Sequence, residues 1–205
     1  MIRNIIFDMG EVLIHFDRPF FLQRLGLQPE EETLLMRQVF QSLEWARMDR
    51  GSMTDLEAAQ SICQRVPAHL HEAVHKLVGM WDRPILPVEG MYELVKELKE
   101  KGYRLLLLSN ASIRQHEYWP RIPAHVFFDG KLISADVKLV KPQPEIYRLL
   151  CETFDVRPEE CFFVDDSIQN IEGAFCCGIA GAVFHQDVSE LRAIMCAHGI
   201  DVAEG

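Results

Sequence analysis

Four times along this chain a short apolar run ends at polar residues and gives way to a stretch with helical periodicity. The runs are "NIIFD" ending at Asp8, "RLLLLSN" at Ser109 and Asn110, "CFFVDD" at Asp165 and Asp166, and "AGAVFH" at His185. Apolar runs this short and continuous, without polar alternation, describe strands covered on both faces. The intervening stretches carry the helical repeat. In "EGMYELVKELKEKG", Met91, Leu94, Val95 and Leu98 fall at i, i+3, i+4 and i+7, and Gly102 suits the stop. Strand and helix in alternation predict an α/β fold, a Rossmann-like parallel sheet with helices on both sides.

Residues 16–87 break that rhythm. They hold three helical runs, "EEETLLMRQVFQSLEWARM", "TDLEAAQSICQRV" and "HLHEAVHKLVGMW", and no convincing strand. Thr54 with Glu57 three residues later forms a capping box for the second. The simplest account is a discontinuous α/β core, residues 1–15 and 88–205, with a small all-helical cap inserted at 16–87. Pro84 and Pro87 mark the return to the sheet.

Composition narrows the function classes. A net charge of −10 disfavours a nucleic-acid binder, which needs a cationic face. No apolar stretch approaches the ~20 residues that span a bilayer, and no basic-then-apolar leader opens the sequence, so a cytoplasmic protein without a membrane partner is expected. The six cysteines include no C-x-x-C pair and read as reduced thiols packed among apolar side chains. A monomer or weak homodimer is expected.

In open parallel sheets, ligands bind outside the carboxyl ends of the strands. Folding would therefore gather Asp8, Ser109, Asn110, Asp165 and Asp166 at one edge, with the "KLVKP" loop nearby. Carboxylates crowded together repel one another unless a cation sits among them, and hard oxygen donors favour Mg2+. Lys141 and the Ser109 hydroxyl suit the oxygens of a phosphoryl group. An aspartate in line with that phosphorus can attack it, giving an aspartyl-phosphate that water hydrolyses. The edge thus points to metal-assisted phosphoryl transfer on a small phosphorylated metabolite.

The segments "IIFDMGEVLI", "LLLLSNAS", "KLVKPQPEIY" and "CFFVDDSIQNIEGA" resemble, in order, the four motifs of the haloacid-dehalogenase-like hydrolase superfamily. The resemblance covers almost the whole chain, including the helical insert where such proteins carry a cap. Together with Trp119–Pro120 after the second motif, it looks closest to the sugar-phosphatase branch, whose substrates include alpha-D-glucose 1-phosphate. The resemblance implies that Asp8 is the nucleophile and a Mg2+ ligand, with the Gly10 carbonyl and Asp166 as further ligands. It implies that Ser109 and the Asn110 backbone bind phosphate and that Lys141 neutralises it. Asp165 would order metal-bound water, and Asn170 would help the metal indirectly. The Asp8 strand should lie between those of Ser109 and Asp166.

Gly10 departs from the many phosphatases of the superfamily that carry an aspartate there as general acid. Such help is typically worth ~10²–10⁴ in rate, or about 3–5 kcal/mol of barrier. Three explanations stay open. Glu11, His15 or a cap residue could supply the proton. The substrate could have a good leaving group, such as an anomeric sugar oxygen, which is the favoured account. Or the protein could be a slow catalyst or a phosphate-binding scaffold.

Rival readings exist. "HEAVH", residues 71–75, matches the H-E-x-x-H zinc signature through His71, Glu72 and His75, with Glu93 or Glu97 as an imagined third ligand; a half-exposed helix face explains it more simply. A metal-independent 2-haloacid dehalogenase fits Gly10 but leaves Asp165–Asp166 without purpose. A non-catalytic phosphate-binding or regulatory protein has only Gly10 in its favour. Trp45, Arg47 and Trp81 are candidates to line the cavity from the cap, with packing and solvation as their plainer account.

Overall fold

The computed structural model describes residues 1–203. Five parallel strands form the sheet: β1 (Asn4–Phe7), β2 (Arg104–Ser109), β3 (Gly130–Ile133), β4 (Cys161–Asp165) and β5 (Ala180–Val183), in the order β3-β2-β1-β4-β5. The strand that delivers Asp8 therefore lies between those that deliver Ser109 and Asp166, at the point where the strand order reverses.

Alternation of side chains explains why these runs are apolar throughout. Ile5, Phe7, Leu105, Leu107, Phe162 and Val164 all face one hydrophobic cluster, and Ile6, Leu106, Leu108, Cys161 and Phe163 face another. The sheet is thus sandwiched. The expected apolar stripe of the helix Met91–Glu100 is buried in the first cluster, beside Leu191 and Met195 of the helix Val188–Ala197. The helices Pro144–Phe154 and Ile168–Phe175 cover the opposite face. Gly102 has φ +89°, which ends the Met91–Glu100 helix in the left-handed geometry that glycine tolerates.

The fifth strand, β3, was not among the expected runs. Its "GKLI" opens with glycine, and only Leu132 and Ile133 are buried at this sheet edge. Too few apolar residues fall together there to mark a strand.

Between β1 and β2 the chain is helical: α1 (Arg18–Gln23), α2 (Pro29–Leu35), α3 (Leu43–Asp49), α4 (Asp55–Cys63) and α5 (His71–Gly79). They share their own cluster, with Phe21, Leu35, Val39, Leu70, Val74 and Leu77 among its buried members. The Thr54–Glu57 capping box is present at α4. The single long helix expected over "EEETLLMRQVFQSLEWARM" is instead two. After α2 a wide helical turn covers Met36–Phe40, and Ser42 then caps α3 by accepting from the Trp45 amide at 3.1 Å. The insert leaves and rejoins the sheet through a short paired crossing, His15 N to Leu86 O at 2.7 Å and Val88 N to Leu13 O at 3.1 Å. Among the described residues no helix is long and apolar enough to cross a membrane.

Candidate active site

The polar strand tips converge. Carboxylate oxygens of Asp8, Asp165 and Asp166 lie within 4.8 Å of one another, and no other such group of metal-ligating side chains occurs among the described residues. Asp8 follows β1 directly, its amide donating to Val164 O at 2.8 Å, which fixes its tip beside that of β4. Lys141 enters from the loop before the Pro144–Phe154 helix. Its buried Nζ stands 2.9 Å from Asp8 Oδ1 and 2.6 Å from Asp165 Oδ2.

Each member is held by a specific partner. Asn110 clasps the backbone of residue 141 from both sides: its Nδ2 donates to Lys141 O at 3.0 Å and its Oδ1 accepts from Lys141 N at 2.8 Å. Asp165 is fully buried, and its oxygens accept from Lys141 Nζ, Asn170 Nδ2 (2.9 and 3.1 Å) and Ser167 N (2.8 Å). Its observed contacts are thus to protein donors, and they anchor the lysine. Asn170 reaches the cluster through Asp165, and its own carbonyl accepts from the Tyr147 hydroxyl at 2.7 Å. Ser109, buried at the end of β2, lines the same recess.

The charges explain the electrostatics. Burial pushes the Asp8 carboxyl up to about 7; Lys141 pulls against the rise and Asp165 adds to it. Burial also works against the Lys141 ammonium, but Asp8 and Asp165 together raise its pKa above the ordinary lysine value. When all three carboxylates are ionised they outnumber the one ammonium by two charges, which a divalent cation would balance. The all-oxygen donor set suits Mg2+ rather than a softer metal.

Above Asp8 opens a chamber of about 220 Å³. Gly10, Ser109 and Asn110 contribute to its core side, and Phe16, Arg18, Trp45, Asp49 and Trp81 to its helical side. The volume lies below the ~300–1,000 Å³ of drug-sized pockets, so a compact ligand fits it best. Phe16 packs edge-on against Trp81, with ring centroids 4.7 Å apart, and Trp81 in turn meets Tyr118 at 5.1 Å.

Of the insert residues considered from sequence, Trp45 and Trp81 line the chamber while Arg47 lies exposed and outside it. Glu11 and His15 line an adjoining outer groove with Asp166, Phe16 and Arg18, the last two of which also line the chamber. Glu11 Oε1 accepts from the Phe16 amide at 2.7 Å. His71 and His75 join no such metal-ligating group, and Glu97 is occupied by Arg192 and the Ala203 amide. Sequence reasoning missed Arg18, Asp49 and Tyr118. Ser42, a good N-cap residue, was the available signal that α3 starts afresh and sets Trp45 and Asp49, four residues apart, on one face.

Comparison with known proteins agrees with this geometry. The profile of the haloacid dehalogenase-like hydrolases matches residues 2–178. Drimenol cyclase drtB of Aspergillus calidoustus is 25% identical over 189 residues, 91% of this chain but 34% of that protein. Pyrophosphatase PpaX of Bacillus mycoides is 32% identical over 93 residues, 45% of this chain and 43% of that one. The chain thus matches less than half the length of each of these curated relatives. Among solved structures, the HAD family enzyme bt-2542 of Bacteroides thetaiotaomicron, in its magnesium complex, superposes with a TM-score of 0.69 at 25% identity, covering 93% of this chain and 98% of that one. The L-2-haloacid dehalogenase of Xanthobacter autotrophicus superposes at 0.67 with 17% identity, covering 97% and 84%, a likeness of fold. With a sheet order, a set of polar strand tips and a family profile that all agree, the chain belongs to the haloacid dehalogenase-like hydrolases.

Proposed function

We propose that the chain is a Mg2+-dependent phosphatase of small phosphorylated metabolites, of which sugar phosphates such as alpha-D-glucose 1-phosphate are the foremost candidates. The observation that carries this reading is the meeting of Asp8, Asp165, Asp166 and Lys141 at the sheet edge, with a surplus of negative charge beneath a compact chamber. A dehalogenase displacing halide without metal has no use for that surplus. The bt-2542 enzyme, crystallised with magnesium and inorganic phosphate, supports the reading by analogy.

In this reading Asp8, Asp166 and the Gly10 carbonyl hold Mg2+, which when bound screens the carboxylates and polarises the phosphoryl group. Ser109 Oγ and the backbone at Asn110 hold phosphoryl oxygens, and Lys141 neutralises their charge. Asp8 attacks phosphorus and receives the phosphoryl group; water then releases phosphate and restores the carboxylate. Asp165 and Asn170 keep Lys141 aimed at the reacting centre. Residues 16–87 act as a cap over a core of 1–15 and 88–205, and the cap aromatics Phe16, Trp45 and Trp81 offer faces on which a sugar ring can stack.

A panel of phosphate esters, run with and without Mg2+, tests this. Mg2+-dependent phosphate release is expected, with alpha-anomeric sugar 1-phosphates hydrolysed faster than sugar 6-phosphates. No release from any ester, or halide release from 2-haloacids without metal, would sink the proposal.

A further inference from the structure

We propose that Asp49, on the last turn of α3, is the proton donor to the leaving oxygen, the role for which Gly10 has no side chain. This rests on the phosphatase reading above and deepens it. An anomeric oxygen leaves more readily than an ordinary sugar hydroxyl, yet either one departs faster when protonated, so an acid besides the nucleophile still has work to do in the chamber. Among its described lining residues, only Asp8 and Asp49 carry a carboxyl and only Tyr118 a phenol. Asp8 is the nucleophile. Burial, with Asp49 and Asp82 adding to it, raises the Tyr118 phenol well above its ordinary value, which makes it a weak donor. Glu11 and His15 line the adjoining groove rather than the chamber itself, and Glu11 is engaged by the Phe16 amide.

Asp49 belongs to the insert, yet it is fixed to the core. Its carbonyl accepts from the Ser134 hydroxyl, and the same hydroxyl accepts from the Ala111 amide at 2.9 Å, two residues beyond Ser109. Two residues after Asp49, Gly51 lies so close to the core that a Cβ there would stand 2.1 Å from Ala135 O, and its φ of +69° suits glycine. This docking point therefore sets Asp49 relative to the phosphate-binding loop. The surroundings favour a protonated carboxyl: burial pushes Asp49 up to about 8, Arg18 from α1 opposes the rise, Asp8 and Asp55 add to it, and Trp45 opposes it by hydrogen bonding.

The chemistry balances. As Asp8 Oδ forms its bond to phosphorus, the bond to the ester oxygen breaks and the Asp49 proton passes to that oxygen, releasing the alcohol. Asp49, now a carboxylate, takes a proton from the water that attacks the aspartyl-phosphate. The bond from phosphorus to Asp8 breaks, and both carboxyl groups return to their starting states.

The experiment uses the full chain with Mg2+ and two substrates: the best sugar phosphate of the panel, and p-nitrophenyl phosphate, whose leaving group departs as a stable anion. The ratio kcat/KM isolates the first chemical step. Asp49→Asn is expected to lower it by ~10²–10³-fold on the sugar phosphate and by less than ~10-fold on the aryl ester. The decline of wild-type kcat/KM as pH rises through about 8 should vanish in Asp49→Asn and persist in Asp49→Glu. Gly10 leaves room for the usual acid, since an added Cβ would meet only Phe16 Cβ at 3.9 Å. Gly10→Asp should therefore restore at least about tenfold in the Asp49→Asn background. Equal losses on both esters in a protein folded by circular dichroism, or no gain from Gly10→Asp, overturn the role of Asp49 and leave the phosphatase intact. Absence of phosphate release by the wild type would remove both.

Discussion

The chamber has a core side, made by strand ends, and a helical side, made by the insert, and they hold their charges differently. On the core side Lys141 is buried against Asp8 and Asp165, and Asn110 clasps its backbone. On the helical side Arg18 is exposed, stacked over the Phe16 ring at 5.2 Å, and Asp49 is half-buried. The core side is organised in advance of any substrate, as stabilisation of a developing phosphoryl charge requires. The helical side faces whatever the phosphate is attached to. In our reading, the phosphoryl group is therefore handled on one side of the chamber, and the leaving oxygen, with its proton from Asp49 and its selectivity, on the other.

The joint between the two sides is ionic and buried. Asp82, where the insert returns, is fully buried and receives Arg114 Nη2 at 2.5 Å and Arg121 Nη2. Arg114, just beyond the second motif, also lies 3.4 Å from Asp55 of α4. One core guanidinium thus fastens the insert at two points, next to the residues that line the chamber.

Substitutions should separate the two sides. The largest effect belongs to the core side: Lys141→Met is expected to lower kcat/KM by ~10²–10³-fold on every phosphate ester alike, because the lost cation serves the phosphoryl group rather than the alcohol. Discrimination between esters in that variant would break the division proposed here. At the joint, Asp82→Ala should cost about 3 kcal/mol in urea unfolding, since two arginines lose their buried partner. It should raise KM more than it lowers kcat, and unchanged stability would deny the joint its role.

The smallest effect lies deep in the insert. Glu44 is held down to about 2, first by the Arg65 hydrogen bonds, against burial, with Ser61 assisting. Its folded-state value lies below the ordinary 4.5, so its contribution is present above that pH and is lost as pH falls toward 2. With Arg65 partly solvated, Glu44→Gln should cost only about 1 kcal/mol at neutral pH and nothing near pH 2, as read from thermal melts across that range.

The same division governs what the sequence made legible. Asp8, Ser109, Asp165 and Asp166 stand out because each interrupts an apolar run at the point where a parallel strand must end. Topology then brings such ends together whatever the loops do. Lys141 is not marked by any strand; only its motif singled it out. Asp49 and Arg18 carry no local mark, because their meeting over Asp8 depends on how α3 restarts at Ser42 and docks at Ser134. Helical propensity running through Gln41 and Ser42 hid that restart. Asp82 was likewise silent, since a lone aspartate beside an arginine and a proline looks like solvated loop until Arg114 and Arg121 fold onto it.

The most direct test of the account is to quench the enzyme in acid during turnover of its best phosphate ester and map the peptide that spans Asp8 by mass spectrometry. A phosphoryl group on Asp8, formed with Mg2+ and lost when the metal is chelated, is the result expected. Sustained turnover with that peptide unmodified, or undiminished turnover in Asp8→Asn, would contradict it.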